Sequence, residues 1–216
     1  MILGMNRLRG FVFLPLVLGL TGCASFLEPE HRSWFPLRVG NEWDYALVST
    51  VEQNGRLDTT TTATYHHAIT GTAKLAHGQP VFTRVWNSDV TLRDSGMSDS
   101  SFSQSETTYF RRTKRWVYRY LTPASPPDSI LQLPPEMDQK WRSEGVYYWV
   151  AARDDIRAGD RLYPRCWRLT TTEGKDPSSS NAWFAPGFGL VRMSTERTFG
   201  TKKLRTDYFL TRAGIR

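Results

Sequence analysis

From residue 43 to the C-terminus the chain is a succession of short segments rich in Thr, Val, Tyr and Trp. Gly, Pro or Asn turns close them, and no segment carries an apolar stripe with a 3.6-residue period. β-branched and aromatic side chains fit a pleated, half-buried surface, and turn residues at short intervals forbid long elements. Asn54-Gly55 is the sharpest turn, because both central positions of a two-residue hairpin must accept positive φ. The pattern predicts strands over residues 43–52, 56–68, 80–86, 106–112, 115–122, 145–152, 161–172, 182–197 and 203–211. Residues 94–105 and 174–181 read as polar loops. Residues 123–135, with five prolines, read as a covering loop or an edge, since proline cannot donate to a ladder. Many short strands without helices predict an all-β or mainly β domain, its antiparallel sheet closed or strongly curved.

The first residues carry a different message. Arg7 and Arg9 precede an apolar run from Phe11 to Leu20, which ends in Leu20-Thr21-Gly22-Cys23. A basic start, a short apolar core and small residues before a break describe a signal peptide, and the run is shorter than the ~20 residues of a spanning helix. Residues 1–22 are therefore read as signal peptide, 23–33 as tether and 34–216 as one β-rich domain. The Leu-x-Gly-Cys ending resembles the bacterial lipobox, which implies lipidation of Cys23 and attachment to a membrane. Acyl chains anchor through about 0.8 kcal/mol per buried methylene. Ala24 stands where inner-membrane lipoproteins of this type often carry Asp, so the implied address is the outer membrane, facing the periplasm.

Loss of Arg7 and Arg9 lowers the formal net charge from +7 to +5. The remaining charge is spread along the chain, densest at residues 111–115, where a basic knot reads as a solvated turn. An exported lipoprotein is not expected to meet nucleic acid, whereas a membrane surface, a lipid or amphiphile, or an envelope protein remains a suitable partner. With Cys23 lipidated, Cys166 has no partner within the chain and no disulfide framework forms. Its strand-like setting predicts a buried, inert thiol, with Trp167 on the opposite side of the sheet.

Catalytic and metal-binding patterns are missing from the sequence. His66 and His67 are adjacent on a predicted strand and point to opposite faces, so they cannot chelate one ion together. There is no HExxH, CxxC, G-x-S-x-G or Walker pattern, and the carboxylate pair Asp154-Asp155 falls in a turn. The expectation is a protein with no catalytic residues, metal or cofactor. An envelope enzyme such as a glycan hydrolase, whose two carboxylates have no sequence signature, stands as the alternative.

The stretch Asn181-Ala182-Trp183-Phe184-Ala185-Pro186-Gly187-Phe188-Gly189-Leu190-Val191-Arg192 poses one further question. A phosphate-cradling glycine loop must lead into a helix, yet a β-like run follows here. Pro186, Gly187 and Gly189 are therefore read as a structural corner between strands rather than a binding loop. The eight tryptophans all lie beyond the signal peptide. Alternation puts Trp43 and Tyr45 on one face and Trp116, Tyr118 and Tyr120 on another single face. These five and Trp149 are the candidate ligand-facing aromatics.

Three blocks carry a family resemblance. Residues 183–191, W-F-A-P-G-F-G-L-V, resemble the W-[YF]-A-P-G-[VI]-G-x-V signature of a large set of uncharacterised bacterial lipoproteins. Residues 34–45, W-F-P-L-R-V-G-N-E-W-D-Y, resemble their opening [YF]-F-P-L-x-x-G-N-x-W-x-Y. Gly159, Tyr163, Cys166 and Leu169 follow their G-x-[YF]-x-x-C-x-x-[LV] block, with a longer spacing after the glycine. These proteins look related to the domain-of-unknown-function 3108 group, and the resemblance implies a fold similar to the lipoprotein carriers LolA and LolB. That fold is a curved antiparallel sheet wrapped into an open half-barrel, and the eight tryptophans on such a sheet lead us to expect that its concave face binds an apolar or amphiphilic ligand or an envelope protein partner. Those carriers add helices as a lid, for which this sequence has no counterpart.

Overall fold

The computed structural model describes residues 33–94, 99–173 and 179–216. The signal peptide, Cys23 and the tether up to residue 32 lie outside the described residues. Twelve strands follow one another: β1 (Glu42–Gln53), β2 (Arg56–Lys74), β3 (Pro80–Asp94), β4 (Ser100–Arg112), β5 (Trp116–Tyr120), β6 (Asp128–Gln132), β7 (Lys140–Ser143), β8 (Val146–Ala158), β9 (Arg161–Glu173), β10 (Ser179–Ala185), β11 (Gly189–Phe199) and β12 (Lys202–Gly214). Among the described residues there is no helix. The strands form one antiparallel sheet in the order β6-β5-β4-β3-β2-β1-β12-β11-β10-β9-β8-β7. The sheet is curved, as expected, and curls beyond a half-barrel until its two edges face each other.

No backbone ladder joins β6 to β7. Side chains bridge the gap instead: the Trp141 indole N–H donates to the Ser129 carbonyl at 2.8 Å, and the Ser129 N–H donates to Ser143 Oγ at 2.9 Å. Trp116 also meets Trp141 edge-on, with ring centroids 5.7 Å apart. This seam leaves the barrel nearly but not fully closed.

Several predicted boundaries move. Residues 94–105 are mostly strand, because β3 runs to Asp94 and β4 starts at Ser100. Backbone pairing with β3 holds this polar stretch of β4 in register, Leu92 opposite Ser100 through Trp86 opposite Glu106. The proline-rich stretch contains the short edge strand β6, and the four-residue β7 had no predicted counterpart. The predicted strand 182–197 is broken at residues 186–188, which turn β10 back into β11.

The core lies inside the barrel at the end where β1 begins. The segment before β1 closes that end: Trp34 and Leu37 are buried, and Phe35 stacks on Phe110 with centroids 5.3 Å apart. Asn41 fastens this plug. It is fully buried, its amide N–H donates to the Pro36 carbonyl at 2.9 Å, and its Oδ1 accepts from the Arg216 N–H at 2.8 Å. Cys166 sits in the same core, fully buried and unpaired with another thiol. Its setting follows from a bulge. Arg165 takes a φ of +55° where the β8–β9 register shifts between Asp154 and Ile156, so Tyr163 and Cys166 are both buried although three residues apart. An extra residue in one strand reverses the side that the next side chains face.

Candidate functional site

The interior is not filled completely. A cavity of ≈ 250 Å³ lies inside the barrel, larger than the ~150 Å³ apolar cavity that can hold a benzene molecule. Its wall is mainly apolar and comes from strands far apart in sequence: Ile69, Phe110, Ile130, Leu169, Phe184 and Met193 all line it. Each lies on an inward-facing position of its strand, so the period-two pleat brings them together.

Trp43 and Tyr45, two of the six aromatics singled out from the sequence, line the cavity. Both are tied down at their polar ends. The Trp43 indole N–H donates to the Phe188 carbonyl at 2.8 Å, and the Tyr45 hydroxyl donates to the Leu190 carbonyl at 3.0 Å. Tyr45 also stacks on Tyr208, ring centroids 4.6 Å apart, an arrangement worth about 0.5–1.5 kcal/mol beyond area burial. The other four lie elsewhere. Trp116, Tyr118 and Tyr120 do share a face, but the intervening Val117 and Arg119 are the inward residues of β5. Tyr118 and Tyr120 pack with Leu75 and Val81 in a separate small cluster, Trp116 packs at the seam, and Trp149 is exposed under the Lys140 ammonium.

The Pro186-Gly187-Gly189 stretch is a turn between strands and also a wall of the cavity. Gly187 and Gly189 have φ of +81° and +83°, a region that costs little only for glycine. A Cβ on Gly189 would stand 3.3 Å from Pro36 Cδ. The Gly187 N–H donates to the Ser33 carbonyl at 3.0 Å, which joins the turn to the plug. Phe188, Gly189 and Leu190 then face the cavity.

Besides the Trp43 indole, three side chains with basic nitrogen groups reach this apolar space: His67, Arg84 and Arg119. His66 and His67 diverge as adjacent strand residues must. His66 Nδ1 lies 2.7 Å from Asp44 Oδ1, while Arg212 Nε donates to Asp44 Oδ2 at 2.5 Å. His67 points inward, its Nε2 3.1 Å from the Tyr208 hydroxyl. Burial, with the charges of Arg84 and His66 adding to it, pushes the His67 pKa down to about 3, so the ring is neutral at neutral pH. Burial also pushes the Tyr45 and Tyr208 hydroxyls up, which keeps them protonated.

The sequence reading did not select either arginine. Arg119 donates to Asp128 Oδ2 at 2.6 Å, and that carboxylate is buried. Arg84 donates from Nε to Thr108 Oγ1 at 3.2 Å and lies over the Phe110 ring, 4.5 Å from its centroid. Among the described residues it has no carboxylate within ion-pair distance. A phase signal for it did exist: Phe82, Arg84 and Trp86 alternate on one face of β3, so an inward Phe82 predicts an inward Arg84. Among the described residues, no group of three His, Cys, Asp or Glu side chains comes together as a metal site would require.

No family model matches the chain, and no curated protein matches it. Solved structures similar to it include the following two. One is a "putative exported protein with YmcC-like fold" from Bacteroides fragilis NCTC 9343, at 11% identity and a TM-score of 0.42, covering 85% of this chain and 99% of the other. The second is a "putative lipoprotein" from Parabacteroides distasonis ATCC 8503, also 11% identical with the same coverages, at a TM-score of 0.27.

Proposed function

We propose that this protein is a membrane-tethered lipoprotein of the bacterial cell envelope whose barrel binds an apolar or amphiphilic small molecule and performs no chemistry on it. The observation that carries the reading is the ≈ 250 Å³ cavity walled by apolar side chains from across the sheet. A domain that needed only stability would fill such a space, because an empty apolar volume forfeits dispersion contacts and costs about 24 cal/mol per Å³. The tether rests on the Leu20-Thr21-Gly22-Cys23 ending of the apolar run, and the outer membrane is our proposed address. The glycan-hydrolase alternative requires two carboxylates flanking a scissile bond. None of the residues lining the cavity is an Asp or Glu, which favours binding over hydrolysis.

Two experiments test these two parts. Cys23→Ser removes the thiol at the lipobox position that would accept a diacylglycerol. The variant is expected to lose palmitate labelling and to leave the membrane fraction, and retained labelling would refute the anchor. For the cavity, native mass spectrometry of protein extracted from cell envelopes is expected to show a bound amphiphile. Ala182→Trp, which places an indole in the cavity, is expected to lose it. A wild-type protein that is empty and also fails to take up neutral, anionic and cationic eight-carbon amphiphiles alike would refute the binding role.

A further inference from the structure

We propose that the cavity selects a monoanionic amphiphile, such as a medium-chain carboxylate, and that Arg84 is the residue that holds its head group. This rests on the binding role proposed above and adds to it the charge of the ligand.

Arg84 is an unusual residue for such a place. Arg84 is half-buried, and even partial withdrawal of a charge from water is costly without a partner, which is why Lys, Glu, Arg and Asp are seldom buried unless paired. The guanidinium nevertheless stands beside Ile69, Phe110 and Leu169 on an apolar wall. Its Nε is occupied by Thr108 and one ring face by Phe110. The remaining four of the five guanidinium N–H groups donate to no acceptor among the described residues. Arginine stays protonated in proteins, so burial cannot relieve the charge by neutralising it.

The neighbours do not compensate for it. Arg119 also lines the cavity, but its charge is matched by the buried Asp128 at 2.6 Å. His67 is held neutral, and Tyr45 and Tyr208 stay protonated. Glu106 influences Arg84 electrostatically but is exposed and forms no ion pair with it. The cavity therefore carries one net positive charge and no negative one. A ligand bearing a single negative charge makes it neutral. A cation adds to the repulsion, and a dianion reverses the sign of the interior. The planar fork of a guanidinium matches a carboxylate with two parallel N–H···O bonds, so a carboxylate is the head group that fits the donors left free. Around that point the wall is apolar, which suits an alkyl or aryl tail. By proportion to the ~150 Å³ that holds benzene, the space accommodates roughly ten non-hydrogen atoms.

Octanoate has that size, and 1-octanol and octylammonium are its neutral and cationic counterparts. Calorimetric titration of the full lipidated protein in zwitterionic nanodiscs, with empty nanodiscs subtracted, compares the three. Octanoate is expected to bind at least tenfold more tightly than 1-octanol, and octylammonium is expected not to bind. In Arg84→Met the preference for octanoate over 1-octanol should vanish. Arg84→Lys should retain part of the preference through its charge. If wild-type protein binds 1-octanol as well as octanoate, the anion selectivity is refuted while the cavity remains a binding site. Unchanged octanoate affinity in a folded Arg84→Met refutes the role of Arg84 in the same way. Failure of all three compounds to bind refutes the binding role itself, and this inference with it. The wild-type comparison decides the question even if Arg84→Met does not fold.

Discussion

The long strands β2, β3 and β4 belong to two different environments along their length. Where they approach the plug, Ile69, Val81 and Phe110 are almost completely buried. Further along the same strands, Ser100, Ser101, Phe102, Ser103, Gln104 and Ser105 are all exposed, on both faces of the sheet. That outer part is a wing. β5 pairs only with residues 109–112 of β4, so the rest of β4 presents a free edge rich in Ser and Thr with a Glu, the composition that discourages edge-to-edge association. Beyond its backbone ladder the wing is held by a few buried side chains, Ala63, Ser88 and Val90, and by hydroxyl contacts such as Ser103 to Asp89 at 2.6 Å and Thr91 to Ser101 at 3.3 Å. One sheet therefore contains a packed region whose side chains are mutually constrained and a region held mostly by its backbone. The difference is one of burial, since the pairing pattern is continuous between them.

The two regions should respond to substitution on different scales. The sharpest test lies at the turn beside the plug. Gly189→Val introduces a β-branched side chain at positive φ and presses on Pro36. Strain and overpacking together should cost about 3 kcal/mol, read as a lowered urea midpoint. A loss below about 1 kcal/mol would mean that the corner relaxes easily and that the packed region is softer than its burial implies.

Cys166 should show an intermediate response. Its thiol is fully buried, donates only to the Tyr163 carbonyl at 3.3 Å, and has its pKa pushed up to about 12, by burial foremost and by Asp155 and Asp154 in addition. Cys166→Ala should cost about 1 kcal/mol through lost packing, and Cys166→Ser about 2 kcal/mol because a hydroxyl is more costly to bury than a thiol. Maleimide should label the native protein slowly and the denatured protein at once. Rapid native labelling would place the thiol outside the core.

Acid should affect the packed region through His67. The unfolded ring titrates near ~6.5, whereas in the fold its pKa lies at about 3. Between these values the unfolded chain binds a proton that the folded chain refuses, so stability falls as the pH drops below ~6.5. His67→Gln should be less acid-sensitive than wild type when urea midpoints at pH 7.5 and pH 4.5 are compared. Equal sensitivity would mean that His67 takes up its proton without unfolding. The smallest effect belongs to the wing. Ser103→Ala should change stability by less than about 0.5 kcal/mol, and a loss matching that of Cys166→Ser would erase the distinction between the regions.

The wing also explains what the sequence hid. A strand is legible when one face is buried, because burial imposes alternation. Trp43, Tyr45 and Leu47 alternate for that reason, and β1 is readable from end to end. The start of β4 is exposed on both faces, so its Ser-rich run carries no alternation and resembles a loop. In the site, Trp43 and Tyr45 were legible as aromatics on a shared face. Trp116, Tyr118 and Tyr120 were legible as a shared face too, but alternation alone does not say which side of the pleat turns inward. Arg84 was hidden because a charge on an inward position contradicts the apolar pattern used to recognise inward positions. The glycine corner was legible in its turn residues, while its second role as a cavity wall depends on Trp43 and Tyr45, ~145 residues away.

The seam has a consequence for the barrel's girth. In a barrel closed by a continuous ladder, strand number and stagger together set the diameter, and the circumference can change only by breaking backbone bonds. Here the ring ends at β6 on one side and β7 on the other, and apart from the connecting loop 133–139 the link between them is an indole, a serine hydroxyl and an edge-on pair of tryptophans. Rotation about side-chain bonds can lengthen that link while every β-ladder stays intact. The hoop is therefore a split ring, closed at the seam by side chains and a loop rather than by a backbone ladder.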